Sequence, residues 1–223
     1  MESPKQRKHL RNILLSSLAF GLLLTACSRL FPEEEKLPIL GPRTWEVREL
    51  NGQKITDTIY HRIPDWSYLN QDSQWVQMAD FSGKIVVTDF FFTSCRTICP
   101  IMKTQMLRVY EKFNADPKVR LVSFSIDPEH DSVALLRAYA AQLEVSTPSW
   151  NMLTGSKDSI YALGQKHYMV TAYEDEKEPD GRVHSGAFIL IDGQRRIRGY
   201  YDGTQEKSVN ELMKAIELLK NEN

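Results

Sequence analysis

The chain has 223 residues, which at roughly 150 residues per domain allows one domain with appendages or two small ones. Hydrophobic residues make up 42% and charged residues 26%, with a formal net charge of −1. Disorder needs low hydrophobicity and high net charge, so this composition argues against it. It also argues against nucleic acid as a partner, because no basic excess is available to neutralise phosphates. Three cysteines are too few for a disulfide scaffold.

At the N-terminus, Lys5, Arg7, Lys8 and Arg11 form a basic cluster ahead of a largely apolar run of 12 residues from Ile13 to Leu24. A bilayer-spanning helix needs about 20 residues, so this run predicts a signal peptide. It ends in Leu24-Thr25-Ala26-Cys27, which resembles the bacterial lipobox. That resemblance implies cleavage before Cys27, lipid attachment to it, and an exported protein anchored to a membrane and facing the periplasm or cell exterior. Several acyl chains on one residue anchor stably where one is marginal. The plainer alternative is an uncleaved anchor with an incidental cysteine. Phe31 to Pro42, with Glu33-Glu34-Glu35 and three prolines, predicts an extended tether. The expected organisation is therefore a signal peptide over 1–26, a lipidated N-terminus and tether over 27–44, and one domain over 45–223. Residues 45–61 are expected to form a hairpin extension of that domain.

Trp45 to Leu50, Asn51-Gly52 and Gln53 to Tyr60 predict strand, turn and strand. Ile63 to Leu69 and Gln74 to Met78 predict two short strands. Lys84 to Phe92 is a nearly continuous β-branched and aromatic run, the mark of a central strand buried on both faces. From Ile101 to Phe113, residues Met102, Met106, Val109 and Phe113 recur on one helical face. Val119 to Ile126 predicts a strand, Ser132 to Leu143 a helix, Ser149 to Leu153 a strand and Lys157 to His167 a helix. Glu174 to Gly181 predicts an exposed loop. Ser185 to Ile191 and Arg195 to Tyr201 predict a hairpin, and Ser208 to Leu219 a closing helix. Strands alternating with helices give an α/β fold, a central mixed sheet with helices on both faces.

Between the central strand and its helix lie Cys95 and Cys99, with Pro100 suited to the start of the helix. A dithiol loop after a buried strand and before a helix is the thioredoxin arrangement, here with three residues between the cysteines. Cys99 beside the helix N-terminus is expected to have its pKa lowered by the helix dipole.

Phe92-Thr93-Ser94-Cys95-Arg96-Thr97-Ile98-Cys99-Pro100 resembles the cysteine motif of the Sco/SenC family. Ser125-Ile126-Asp127-Pro128-Glu129-His130-Asp131 resembles that family's Ser-(Val/Ile)-Asp-Pro segment, and Val183-His184-Ser185 its His-(Ser/Thr) segment. The likeness runs over about residues 62 to 220. It implies a thioredoxin-like fold and a membrane-tethered copper metallochaperone serving the copper-binding subunit of cytochrome c oxidase. It also implies one copper, Cu(I) or Cu(II), held by Cys95, Cys99 and His184, without catalytic turnover. Two positions depart from the family pattern: Arg96 stands where proline is common, and Val183 where aspartate is common.

The donor chemistry agrees, since thiolates suit Cu(I) and imidazole suits Cu(II). A structural zinc site would want four protein ligands, and no fourth cysteine exists. Other readings remain open at this point. The pair could form a structural disulfide in a surface lipoprotein, or act as a redox-active thiol:disulfide oxidoreductase that keeps acceptor cysteines reduced. A peroxidase is weaker, because nothing marks a peroxide pocket. His184 discriminates, since copper binding uses it and dithiol exchange leaves it idle. Asp127 is first a turn former and second a neighbour of the metal. Met102 and Met106 are expected in the core, with a soft auxiliary ligand role as the alternative. His61, His130 and His167 are expected on the solvated surface.

Overall fold

The structure is a computed structural model that describes residues 36–174 and 182–222, with the backbone alone at 172, 174 and 182–184. The expected signal peptide and Cys27 therefore lie outside the described residues. Among the described residues, no helix is long and apolar enough to cross a membrane.

The chain opens with a hairpin, β1 (Arg43–Leu50) and β2 (Gln53–Tyr60), turned by Asn51-Gly52 with both residues at positive φ. β3 (Ser67–Asn70), β4 (Trp75–Gln77) and a short 3-10 turn (Met78–Phe81) lead into β5 (Ile85–Phe91). There follow α1 (Cys99–Phe113), β6 (Val119–Ser125), α2 (Val133–Gln142), β7 (Trp150–Thr154) and α3 (Lys157–Lys166). β8 (Ala172–Glu174) and β9 (Arg182–His184) form a small hairpin. β10 (Ala187–Ile191), β11 (Ile197–Asp202) and α4 (Glu206–Asn221) complete the fold.

Seven strands make one sheet in the order β11-β10-β5-β6-β7-β3-β4. β5, β6 and β7 run parallel at its centre and the flanking pairs are antiparallel. Every residue of β5 is buried, as its apolar run predicts. Its alternate side chains serve two cores. Phe90 meets Phe124 and Tyr168 on one face, where Gly164 of α3 comes so close that a Cβ there would sit 3.1 Å from the Phe90 ring. Phe91 and Asp89 face the other way, toward Met102 and Met106 of α1 and Tyr139 of α2. Helices thus cover both faces, and the predicted mixed α/β architecture is the observed one.

The last part of the expected tether is ordered onto the domain. Arg198, buried in β11, donates from Nε to the Pro38 carbonyl (3.1 Å) and from Nη2 to the Leu37 carbonyl (2.6 Å). The same guanidinium is paired with Asp192 at 3.1 Å and Glu222 at 2.6 Å. Leu40 N–H donates to the Ile197 carbonyl at 2.8 Å, and β1 begins at Arg43. Prolines and acids in the sequence indicate an extended segment, but its backbone carbonyls are what a buried guanidinium needs once two carboxylates have neutralised its charge.

Candidate metal centre

β5 delivers the chain to the carboxyl end of the sheet, where Phe92 starts the cysteine loop. Cys95 N–H donates to the Phe92 carbonyl (3.3 Å), and the Cys95 Sγ lies 3.6 Å from Thr97 Oγ1. Cys99 is the first residue of α1, with Pro100 next, where a missing N–H costs nothing. The two cysteines are not joined in a disulfide, and both residues are buried.

The helix N-terminus does not set the Cys99 thiol as expected. Its pKa is pushed up, first by a hydrogen bond to Cys95, then by burial and by the negative charge available at Cys95 and Asp89. A backbone hydrogen bond at Phe92 pulls the other way without prevailing. The dipole effect is worth about 1 kcal/mol, and it loses to the hydrogen bond with Cys95 and to burial.

A carboxylate stands closer to Cys99 than the sequence indicates. Asp89, buried in β5, accepts a hydrogen bond from Ser123 Oγ, which in turn accepts from Trp150 Nε1 at 2.8 Å. Asp89 and Cys99 share a cavity of about 20 Å³ with Met102, Met106, Met152 and Tyr139. The Tyr139 hydroxyl is pushed up by burial and then by Cys99, Asp89, Asp131 and Cys95. Asp131, fully buried, accepts from Thr93 N–H (3.1 Å), from the Thr93 hydroxyl and from Ser125 Oγ (2.6 Å). It thereby ties the cysteine loop to the loop after β6. Sequence reasoning missed Asp89, Asp131 and Thr93 as site residues. An aspartate inside an otherwise apolar strand was the available signal for the first.

Asp127 is buried and makes the expected turn, its carbonyl accepting from His130 N–H (3.0 Å) and Asp131 N–H (2.8 Å). Met102 and Met106 lie in the core as expected. His184 closes β9, its backbone paired with Ala172, rather than leading directly into the next strand. Two residues on, a Cβ at Gly186 would stand 3.7 Å from the Ile98 side chain. The segment carrying His184 and the start of α1 therefore occupy the same end of the sheet. Among the described residues no three His, Cys, Asp or Glu side chains form a ready metal cluster. Of the remaining histidines, His130 is exposed, but His61 and His167 are half-buried against one another rather than solvated.

The SCO1/SenC family model matches residues 56–220. The SCO1 protein homolog of Bacillus subtilis is 30% identical over 167 residues, covering 74% of this chain and 86% of that protein. A mitochondrial SCO2 homolog of Mus musculus is 30% identical over 158 residues, covering 68% of this chain and 60% of the mouse protein. Among solved structures, a SCO1/SenC family lipoprotein from Bacillus anthracis superposes with TM-score 0.64 at 28% identity, covering 72% of this chain and 95% of its own. BsSco, described as a member of the Sco family of cytochrome c oxidase assembly proteins with a disulfide switch, gives TM-score 0.64 at 27% identity, covering 73% and 95%. With three quarters of its length matched by the family model and the thioredoxin-like fold shared with these structures, the chain belongs to the SCO1/SenC family.

Proposed function

We propose that the protein is an exported, lipid-anchored copper metallochaperone for cytochrome c oxidase assembly, holding one copper through Cys95, Cys99 and His184. The observation that carries this reading is the electrostatics of the dithiol. Two buried, mutually hydrogen-bonded cysteines stand with buried Asp89 near them, and the Cys99 thiol is held above its ordinary pKa by Cys95, by burial and by the aspartate. Such surroundings disfavour a bare thiolate and favour a cation that replaces the proton. Soft sulfur donors suit Cu(I), and an imidazole added from the segment at the same end of the sheet extends the set to Cu(II). Release to an acceptor proceeds by ligand exchange, each sulfur being reprotonated as an acceptor ligand takes its place. The family's association with oxidase assembly supports the partner, and the lipoprotein relative supports anchoring through Cys27.

The test is copper stoichiometry and optical spectrum of the reduced chain beside Cys95→Ser, Cys99→Ser and His184→Ala. Tight one-to-one binding at this site, lost in each cysteine variant and weakened with an altered spectrum in His184→Ala, is expected. A His184→Ala chain with unchanged affinity and spectrum refutes the ligand assignment. A thiol:disulfide oxidoreductase is the second reading, favoured by two adjoining cysteines that are not in a disulfide and by the disulfide switch described for BsSco. It requires rapid disulfide exchange that is indifferent to His184.

A further inference from the structure

We propose that the β1–β2 hairpin is a self-association surface, on which β1 pairs antiparallel with β1 of a second copy of this chain about a two-fold axis at Val47. The inference goes beyond the copper reading and does not depend on it.

β1 and β2 form a two-stranded sheet of their own, apart from the seven-stranded one. Two strands alone are marginal in water, and further strands or a packed face are what stabilise them. Every residue of β1 is exposed, Trp45 at 69% and Val47 at 62%, whereas Ile55, Asp57 and Tyr60 of β2 are half-buried. β1 is thus the open edge. It runs for eight residues in unbroken register, with no proline and no bulge to blunt it against further pairing.

The turn decides which backbone groups point outward. Asn51 and Gly52, at φ 53° and 76°, make a two-residue connection, so Leu50 and Gln53 exchange both hydrogen bonds and the pairs alternate from there. Thr44, Glu46, Arg48 and Leu50 therefore spend their N–H and C=O groups on β2. Trp45, Val47 and Glu49 present theirs at the free edge, at the spacing an antiparallel strand requires.

Charge selects the register. Glu46 stands directly opposite Asp57, a destabilising like-charge pair, and Arg48 on the same face is ion-paired with Asp57. A two-fold axis at Val47 sets Glu46 opposite Arg48 of the second copy, and Arg48 opposite that copy's Glu46. Each pair of acids then lies between two guanidinium groups. The same axis brings Leu50 beside Thr44 of the second copy, with that copy's Ile59 next across the sheet, so two exposed apolar side chains converge. On the other face Val47 meets its own counterpart. An axis at Trp45 would put Glu46 opposite a threonine, and one at Glu49 would set that acid against itself. The pairing also separates the two domains, because Asn51 at the tip of one hairpin falls opposite Arg43 at the base of the other. That base is closed by His61 N–H on the Pro42 carbonyl at 3.1 Å.

The test is sedimentation velocity of the reduced full chain over a concentration series, beside Arg48→Glu, Glu46→Arg and an equimolar mixture of the two. Wild type is expected to show a concentration-dependent dimer. Each variant alone sets like charges opposite one another twice per dimer and should weaken association about tenfold or more. The mixture restores both opposite-charge pairs and should recover wild-type association as a heterodimer. Wild type that stays monomeric overturns the proposal, as does a dimer that neither variant weakens, or a mixture no stronger than its components. A second measurement does not depend on how well the charge variants fold. Val47→Cys, in a chain with Cys27, Cys95 and Cys99 changed to serine, places two thiols opposite each other and should form a covalent dimer with diamide as oxidant. Glu49→Cys in the same background, facing Trp45 instead, should not. Equal cross-linking at both positions, or none at Val47→Cys, overturns the pairing.

Discussion

Replacing Asp131 separates the roles of charge and of hydrogen bonding at the cysteine loop. Asp131→Ala removes the acceptor for Thr93 N–H, the Thr93 hydroxyl and Ser125 Oγ; Asp131 and Ser125 are closed to solvent and Thr93 is half-buried. A hydrogen bond to a charged group contributes about 1.5–3 kcal/mol, and hydroxyls can turn toward other acceptors, so about 3–5 kcal/mol is expected. That is a large part of the roughly 5–15 kcal/mol that keeps a domain folded. Asp131→Asn keeps the volume and one oxygen. Placed where Oδ2 stands, that oxygen still serves Thr93 N–H and Ser125, while the amide donates to Thr93 Oγ1. Only the charge contribution is lost, about 1–2 kcal/mol. Urea unfolding measures both as shifts in midpoint at constant slope. A Thr93→Val/Asp131→Ala cycle should return a coupling of about 1–3 kcal/mol. Equal effects of Ala and Asn, or an Ala effect below about 1 kcal/mol, would refute the assignment of Asp131 as the tie between the two loops.

Copper affinity should rise with pH across the neutral range, by up to about tenfold per unit for each proton released, because the Cys99 thiol is held above its ordinary value. Competition titrations at several pH values check it, and a flat profile counts against proton displacement. His167 has a lowered pKa, so the unfolded chain binds its proton first. Stability is therefore full above pH about 6.5 and is lost as pH falls through the folded-state value. His167→Gln should flatten that part of a stability–pH curve. Arg198→Met leaves buried Asp192, which keeps Arg196, and half-buried Glu222 without their shared partner and should cost about 3 kcal/mol. Limited proteolysis should then cut residues 37–42 faster than in wild type.

The parts of the fold that were legible have strong local signals. The run into Phe92 marks β5, and the spacing of Met102, Met106, Val109 and Phe113 marks the buried face of α1. The cysteine pair was placed correctly between them because strand, loop and helix are consecutive in the chain. What escaped depends on distant residues. β8 and β9 are three residues each, too short for periodicity to register. His61 and His167 meet across 106 positions, and neither has a local pattern that names the other. The Cys99 thiol departs from its expected behaviour because helix position is visible in sequence, whereas the hydrogen bond to Cys95 and the aspartate near it are not. Leu37 to Pro42 looked like linker because the guanidinium that holds it stands some 160 positions later.

That guanidinium also determines where mechanical load goes. Arg198 and Ile197 grip the N-terminal segment at the end of the sheet where β10 finishes and β5 begins. The thiols lie past the far end of β5, seven residues and about 20 Å away. A pull transmitted along the chain from residues before Leu37 is borne by the Arg198–Asp192–Glu222 cluster and passed into the closing helix. The dithiol sits outside that load path, so a pull on the chain ahead of Leu37 leaves its geometry undisturbed.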